Sequence, residues 1–237
     1  MRLLAFLFVA SALLIACGSS AVAGTCIYGL SGFIETPDDT TAGPSAVTFA
    51  GRYVPDFGDT KFNLFSYGGT IGITHKLEVG AVAMDSDAPR SKVQGILNVK
   101  FQVLDESFDR PSITIGAVDL TNSIGGVRAG TDEISGFLMV GRNLSSLAES
   151  WGGFVSTPLR GTIGFGTGIY KGIFLGLNWS PSSRADVMFE YLSEGLQRGG
   201  SFNAGVRAKV FGGLSLELGT LGFKDLYGGL SYALSMY

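Results

Sequence analysis

Apolar and polar residues alternate strictly near the end of the chain. Between residues 201 and 210 the even-numbered positions are all apolar, namely Phe202, Ala204, Val206, Ala208 and Val210. The odd-numbered positions between them are Ser, Asn, Gly, Arg and Lys. Successive side chains of a β-strand point to opposite faces, so a period of two predicts a strand with one apolar and one polar face. After a short break the alternation resumes and runs to the final residue.

The same alternation recurs along most of the chain and predicts twelve strands. These lie near residues 47–53, 60–74, 77–84, 92–104, 111–119, 134–142, 160–168, 172–180, 184–193, 201–210, 213–221 and 226–237. Many approach the ~9–11 residues that a tilted transmembrane strand needs. No segment after residue 24 keeps a helical period over three turns. The best short helical candidate is residues 143–151, with an apolar face and space for one loop helix.

The predicted connections alternate between short turns and longer loops. Short turns include 75–76, 181–183 and 211–212, and longer loops include 85–91, 120–133 and 194–200. An even number of strands, with short turns at one end, is typical of bacterial outer-membrane barrels. Residues 143–159 break the alternation because they are long where a short turn is expected. A miscounted strand, a plug and a periplasmic element are the alternatives for that segment.

Composition supports a membrane barrel over a soluble β-sandwich, which also alternates. The 237 residues are 46% hydrophobic and only 16% charged, and 36 are glycine. Glycine lets crowded interior faces close and sheets bend. Aromatic residues cluster near the predicted strand ends, as interfacial girdles require. They are Tyr53, Tyr67, Trp151, Tyr170, Trp179, Tyr191, Tyr227, Tyr232 and Tyr237. The net charge of −3, with no basic block, gives no support to nucleic-acid binding.

The N-terminus has the features of a secretion signal. Arg2 precedes an apolar stretch from residue 3 to 16, which is shorter than the ~20 residues of a spanning helix. Ala21-Val22-Ala23 before Gly24 has the small-x-small form that signal peptidase I cleaves, which makes residues 1–23 a signal peptide. The alternative is a lipoprotein signal ending at residue 16, with Cys17 lipidated. We therefore expect residues 24–46 to be an N-terminal extended segment and 47–237 the barrel, in the outer membrane of a diderm bacterium.

Residues 29–37, Gly-Leu-Ser-Gly-Phe-Ile-Glu-Thr-Pro, resemble the opening of the YjbH-type proteins. These are outer-membrane β-barrel proteins linked to exopolysaccharide production. Shorter glycine-rich matches occur at 76–80, 111–117, 172–177 and 203–207. The resemblance implies an outer-membrane location and a link to polysaccharide export, and it carries over no catalytic residues. Two departures are the single short barrel and the acidic insert Asp38-Asp39 that follows the opening element.

Polar residues on the inward parity of the strands form the candidate lumen lining. They are Arg52, Lys92, Gln94, Asn98, Lys100, Gln102, Arg184, Asp186, Glu190, Asn203, Arg207, Lys209 and Glu217. Such residues either bind a hydroxyl-rich ligand or pair with one another to fill a narrow interior. The final strand supplies a candidate signal for the barrel-assembly machinery, in Tyr232, Leu234, Met236 and Tyr237. Tyr237 lies off the apolar parity of that strand.

No motif for nucleotide, zinc or nucleophilic chemistry appears, so we expect no cofactor, no metal and no enzyme activity. The lone histidine, His75, falls in a predicted turn without a serine-bearing motif. The leading hypothesis is a small outer-membrane barrel that supports envelope or exopolysaccharide biogenesis, as a structural component or a narrow conduit. Its expected partners are outer-membrane lipid, the assembly machinery and polysaccharide-export proteins. The alternatives are a general porin-like channel, a barrel enzyme acting on lipid, and a soluble periplasmic β-protein.

Overall fold

A computed structural model describes residues 24–58, 61–89, 91–126, 133–145, 157–197 and 199–235. The expectations for residues 1–23, for Trp151, for Met236 and Tyr237, and for most of 143–159 lie outside these ranges. Twelve strands follow one another along the chain. They are β1 (Ala46–Phe57), β2 (Phe62–Gly72), β3 (Leu77–Ser86), β4 (Gln94–Leu104), β5 (Ser112–Val118), β6 (Ser135–Asn143), β7 (Leu159–Gly166), β8 (Gly172–Ser182), β9 (Ala185–Leu192), β10 (Ser201–Phe211), β11 (Leu214–Leu221) and β12 (Asp225–Ser235).

The strands form a closed antiparallel barrel, which confirms the predicted fold class and strand number. Each strand pairs with its neighbours in sequence, and β1 pairs with β12 to close the ring. That seam runs in register from the pair Ala46 and Ser235 to the pair Tyr53 and Gly228. Closure leaves no strand edge unpaired, which a β-structure in lipid requires.

The outer surface of the barrel is an apolar belt. In β10 the outward residues are Phe202, Ala204, Val206 and Ala208, and in β11 Leu216 and Leu218 continue the belt. These large apolar side chains are exposed on the isolated chain, with Leu218 reaching 69%. A soluble protein would bury such a continuous apolar surface. The belt is therefore the face that contacts lipid, as the alternation predicts.

The interior is filled with side chains rather than open. Inward-facing residues such as Met139, Phe174 and Met188 are buried together with residues 26–34, which precede β1. Short 3-10 turns at Ile124–Gly126 and Gly168–Tyr170 close over the interior between strands. Among the described residues there is no helix with the length and apolar character needed to cross a membrane.

Two aromatic residues of the predicted girdle point inward instead. Tyr170 lies in the turn between β7 and β8, and its hydroxyl donates to the Glu35 carbonyl at 3.0 Å. Tyr227 of β12 is buried, and its hydroxyl donates to Glu217 at 3.0 Å. The girdle expectation is wrong for both residues, because each phenol finds a polar partner in the interior. Tyr53, Trp179 and Tyr191 lie on the outward parity as predicted.

A lysine in the middle of the belt should destabilise the barrel more than one near its rim. Val206 faces lipid midway along β10, between Leu218 of β11 and Val187 of β9. We expect Val206→Lys to lower the free energy of unfolding by about 2–4 kcal/mol in lipid vesicles. The matched control Val210→Lys, near the end of the same strand, should cost about 0–1 kcal/mol. Reversible denaturant unfolding measures both, and equal costs would contradict a membrane-centred belt.

Candidate functional site

Residues 24–42, here called the inner segment, occupy the barrel interior. Residues 25–37 are all buried, and the isolated bridges Thr25–Ser31 and Gly32–Pro37 fold them into a compact loop. The segment leaves through the rim at which β1 begins and β12 ends. That end, which also contains turns 73–76, 105–111, 183–184 and 212–213, is called the terminal rim. Residues 43–45 are exposed there and lead into β1.

Carbonyl groups of the inner segment are bound by donors on the barrel wall. The hydroxyls of Ser66 and Thr70 donate to the Ile27 and Gly29 carbonyls, at 2.6 and 2.5 Å. Other wall donors to carbonyls of the segment are Arg52, Asn98, Lys100, Tyr170 and Arg207. With the bonds inside the segment, each carbonyl from Thr25 to Thr36 has a partner. An unpaired buried carbonyl would cost about 1–3 kcal/mol, so these donors make burial of the segment feasible.

Two buried carboxylates accept the N–H groups of the same segment. Glu190 of β9 accepts from the main chain of residues 34, 35 and 36, at 3.3, 2.8 and 3.0 Å. The Thr36 hydroxyl donates to it as well, at 2.8 Å. Glu78 of β3 accepts from the N–H groups of Ser31 and Ala42, at 2.7 and 2.6 Å. Hydrogen bonds to a charged acceptor are stronger than neutral ones, so both carboxylates act as anchors for the segment.

A charge cluster of Glu217, Arg52 and Arg207 lies in the middle of the interior. Glu217 of β11 contacts Arg52 at 3.3 Å and Arg207 at 3.2 Å, and it accepts the Tyr227 hydroxyl. Arg52 and Arg207 each also donate to carbonyls of the inner segment. Burial of an unpaired charge is expensive, and here each charge has an opposite charge and further hydrogen bonds. The segment therefore completes the coordination of charges that the wall alone leaves unsatisfied.

The acidic insert Asp38-Asp39 binds two cations towards the terminal rim. Lys100 of β4, fully buried, lies 3.2 Å from Asp38 and 3.6 Å from Glu78. Asp39 pairs with Arg160 of β7, whose guanidinium also contacts Glu106 at 2.8 Å. Burial raises the pKa of Asp38, and the adjacent Lys100 ammonium opposes that rise. The insert thus binds the exit of the inner segment to two strands of the wall, β4 and β7.

Glycines in the wall make room for the inner segment. A methyl group at Gly80 would overlap the Gly29 carbonyl, and one at Gly176 would overlap the Phe33 ring. A methyl group at Gly141 would likewise overlap the Asp39 carboxylate. Each of these glycines lies on the inward parity of its strand. Part of the high glycine content thus follows from the space that the segment needs.

Apolar side chains of the inner segment also pack against the barrel wall. Ile27, Leu30, Phe33 and Ile34 are almost fully buried in the interior cluster. Tyr170 contacts three other rings, those of Tyr28, Phe137 and Phe174, with centroids 6.0, 5.7 and 5.4 Å apart. Full burial of one large apolar side chain contributes about 1.5–3 kcal/mol. The segment is a packed core of the barrel as well as a hydrogen-bonded one.

The predicted lumen residues fall into three groups. The buried inward-facing ones are Arg52, Asn98, Lys100, Asp186, Glu190, Asn203, Arg207 and Glu217. Gln94, Gln102 and Lys209 are half-buried towards strand ends. Lys92 and Arg184 are exposed and lie in connections, because β4 begins at Gln94 and β9 at Ala185. These two side chains do not line the interior.

The remaining predicted residues lie in β12 or outside the described ranges. Tyr232 and Leu234 lie on the outward parity of β12, while Cys17, Met236 and Tyr237 are outside the described residues. Glu35, Asp39, Glu78 and Arg160 were missed as interior residues. Glu78 lies on the polar parity of β3 and could have been found, whereas Glu35 and Asp39 lie in no strand. Within the described ranges, no cluster of three or more acidic, histidine or cysteine side chains could hold a metal ion.

Cys26 should report whether the inner segment is in place. Its thiol is fully buried, and burial raises its pKa to about 11. Since the thiolate is the reactive form, we expect no maleimide labelling of the folded barrel at pH 7.5 and full labelling in denaturant. A cysteine introduced as Arg184→Cys, in an exposed turn, is the positive control. Rapid labelling of Cys26 in the folded protein would contradict the buried position.

Glu190→Gln should loosen the inner segment. Both Glu190 oxygens accept hydrogen bonds, so an amide NH2 would face donors and leave them unpaired. We expect opening of the segment to become easier by at least about 2 kcal/mol, which is roughly a thirtyfold faster alkylation of Cys26. Glu106→Gln is the matched control, since its partly exposed ion pair with Arg160 should contribute less than about 1 kcal/mol. Equal alkylation rates in the two variants would contradict an anchoring role for Glu190.

Comparison with known proteins bears on the fold. Neither a protein-family model nor a curated protein matches the sequence. Among solved structures, the KdgM porin is similar with a TM-score of 0.50 and 9% identity, over 81% of this chain and 99% of that one. An outer membrane channel from Pseudomonas putida F1 gives a TM-score of 0.41 and 13% identity, over 84% and 98% of the two chains. The closed twelve-strand barrel and its apolar belt are those of an outer-membrane β-barrel, and the outer membrane is its location.

Proposed function

We propose that the protein is a narrow, porin-like conduit of the outer membrane that its own inner segment holds closed. The observation that carries this function is the burial of residues 25–37 inside a wall lined by charged and polar side chains. Arg52, Lys100, Glu78, Glu190 and Glu217 all direct charge into the interior, as the wall of an aqueous passage does. In the closed state the main chain of the segment takes the place of water and solute.

The route of opening follows from the direction of the inner segment. The segment leaves the interior at the terminal rim, because Ala42 lies beside Gly72 at the end of β2. Glu35 reaches the opposite rim, where its carboxylate accepts the Leu196 N–H. The segment can withdraw through the terminal rim when Asp38 and Asp39 part from Lys100 and Arg160. Arg160 is 23% exposed, so these outermost contacts are within reach of solvent and of other molecules. A conduit that opens in this way stays shut until its exit contacts break.

The process that the conduit serves is proposed from the opening element. The resemblance of residues 29–37 to the YjbH-type opening supports a role in envelope or exopolysaccharide biogenesis. These residues now have a physical task, since they form the centre of the inner segment. Deletion of the gene should reduce secreted polysaccharide and leave membrane integrity intact. Unchanged polysaccharide would contradict this role and would leave the closed conduit itself untouched.

No catalytic role is part of this proposal. His75 lies exposed in the turn between β2 and β3, and its carbonyl accepts the Thr41 hydroxyl at 2.7 Å. The three other functions weighed on the sequence make different predictions for the purified barrel. A general porin conducts steadily, a barrel enzyme turns over lipid, and a periplasmic protein fractionates as soluble.

Planar-bilayer conductance tests the closed conduit. We expect the wild-type barrel to show no steady current, because the inner segment fills the interior. Gly80→Val should displace the segment by overlap with the Gly29 carbonyl and give stepwise channel openings. Gly95→Val is the matched control, since Gly95 of β4 faces outward with no atom within 4 Å of an added methyl group. It should stay as silent as the wild type.

Two readouts keep the outcomes of this experiment separate. Heat-modifiable gel mobility shows whether each variant forms a barrel, and Cys26 labelling shows whether the segment has left. A steady wild-type current would overturn the closed state. A folded Gly80→Val barrel with labelled Cys26 and no current would overturn the conduit. If Gly80→Val does not fold, Glu190→Gln provides the loosened segment for the same measurement.

A further inference from the structure

The turn between β4 and β5 presents an aromatic side chain that the barrel does not cover. Ser107 and Arg110 exchange main-chain hydrogen bonds at 3.0 and 3.3 Å, and the Ser107 hydroxyl donates to Asp109 at 2.6 Å. Phe108, at the tip, is 99% exposed. The turn is thus fixed in shape, and its apolar tip is open to contact from outside the chain.

The main chain at Phe108 lies on the membrane side of the wall. Arg142 of β6 is on the outward parity, in the same row as Leu138 and Val140 of the belt. Its guanidinium donates to the Phe108 carbonyl at 3.0 Å. A second tether reaches over the rim, where Glu106 accepts the Asn143 N–H at 2.7 Å. The two tethers hold the turn across the rim, with its tip towards the outer face.

The charges around the tip suit a lipid surface. Arg110 and Arg142 are both exposed and flank Phe108 along the turn and the adjacent strand. Asp109, the exposed carboxylate between Phe108 and Arg110, accepts the Ser107 hydroxyl. Other exposed apolar side chains of the terminal rim are Ile73 and Phe211. An aromatic ring between cations matches the boundary of a bilayer, where acyl chains lie beside phosphate groups. Arginine is suited to phosphate because its planar donors can bind two oxygens at once.

We propose that this turn is a phospholipid-binding site, in which Phe108 enters the acyl boundary while Arg110 and Arg142 bind headgroup phosphate. The site anchors the terminal rim in one leaflet and fixes the height of the barrel in the membrane. It is independent of the conduit, since none of its three residues contacts the inner segment. The alternative is that a protein partner covers Phe108. In that case Phe108 of the purified barrel, without the partner, would be exposed to water.

Spin labelling of the reconstituted barrel locates the tip. A nitroxide attached at Phe108→Cys, in folded protein where Cys26 is buried, is placed in vesicles of phosphatidylcholine and phosphatidylglycerol. We expect collisions with oxygen to exceed those with a water-soluble nickel complex, as at other lipid-exposed sites. The control is a nitroxide at Arg184→Cys, in another exposed turn of the terminal rim, where we expect the reverse. Aqueous values at both positions would overturn the lipid site.

The two arginines are tested by the lipid composition. Raising the phosphatidylglycerol fraction should move the label at position 108 deeper in the parent protein, because a more anionic surface holds the cations more closely. The double variant Arg110→Gln and Arg142→Gln should lose this response while the barrel still folds, as heat-modifiable mobility shows. Arg110→Gln alone leaves the Arg142 hydrogen bond to the Phe108 carbonyl in place and should lose part of the response. An unchanged response would overturn the role of the arginines in binding phosphate.

Discussion

A chain segment inside a closed barrel has no strand edge with which to pair, and this constraint governs the interior of the protein. Each of the twelve strands pairs with two neighbours. The inner segment therefore obtains its hydrogen bonds from side chains of the wall and from its own main chain. Cations and hydroxyls of β1, β2, β4 and β10 bind its carbonyls, and carboxylates of β3 and β9 bind its N–H groups. The charged lining is a consequence of that requirement.

The inner segment contacts the wall through both ion pairs and apolar side chains, and the two together determine how stable the closed state is. Ion pairs alone would be weak evidence for stability, because desolvation offsets much of their attraction. The buried side chains of Ile27, Leu30, Phe33 and Ile34 add a hydrophobic contribution on the order of several kcal/mol. Thermal fluctuation alone would therefore open the barrel rarely. Opening of the proposed conduit requires its exit contacts, near Asp39 and Arg160, to break.

The sequence predicted the barrel well because strand geometry sets a period of two, and lipid outside requires one parity to be apolar. Lipid outside and a polar interior fix the parity of each strand, so Arg52, Asn98, Lys100 and Glu217 were placed correctly inward. Lys92 and Arg184 were not, since alternation does not show where a strand begins. The buried position of residues 25–37 had no such signal. Their burial arises from contacts with strands far away in sequence, and a local pattern records none of them.

Tyr170 and Tyr227 also show that a local sequence pattern does not record contacts with residues far away in the chain. A tyrosine that faces the membrane interface and one that faces the interior look alike in the sequence, because both lie near strand ends. What separates them is a buried acceptor, the Glu35 carbonyl for one and the Glu217 carboxylate for the other. Glu35 belongs to the inner segment, so the inward position of Tyr170 could be predicted only by first knowing what fills the barrel.

The seam between β1 and β12 has a consequence for how this protein is made. The inner segment continues through residues 43–45 directly into β1, the strand that closes the ring against β12. The strand that closes the wall is thus directly preceded in the chain by the segment that fills the interior. Sealing and filling therefore involve one continuous piece of chain. Glu190 of β9 binds three main-chain N–H groups only once the segment that leads into β1 is inside the barrel.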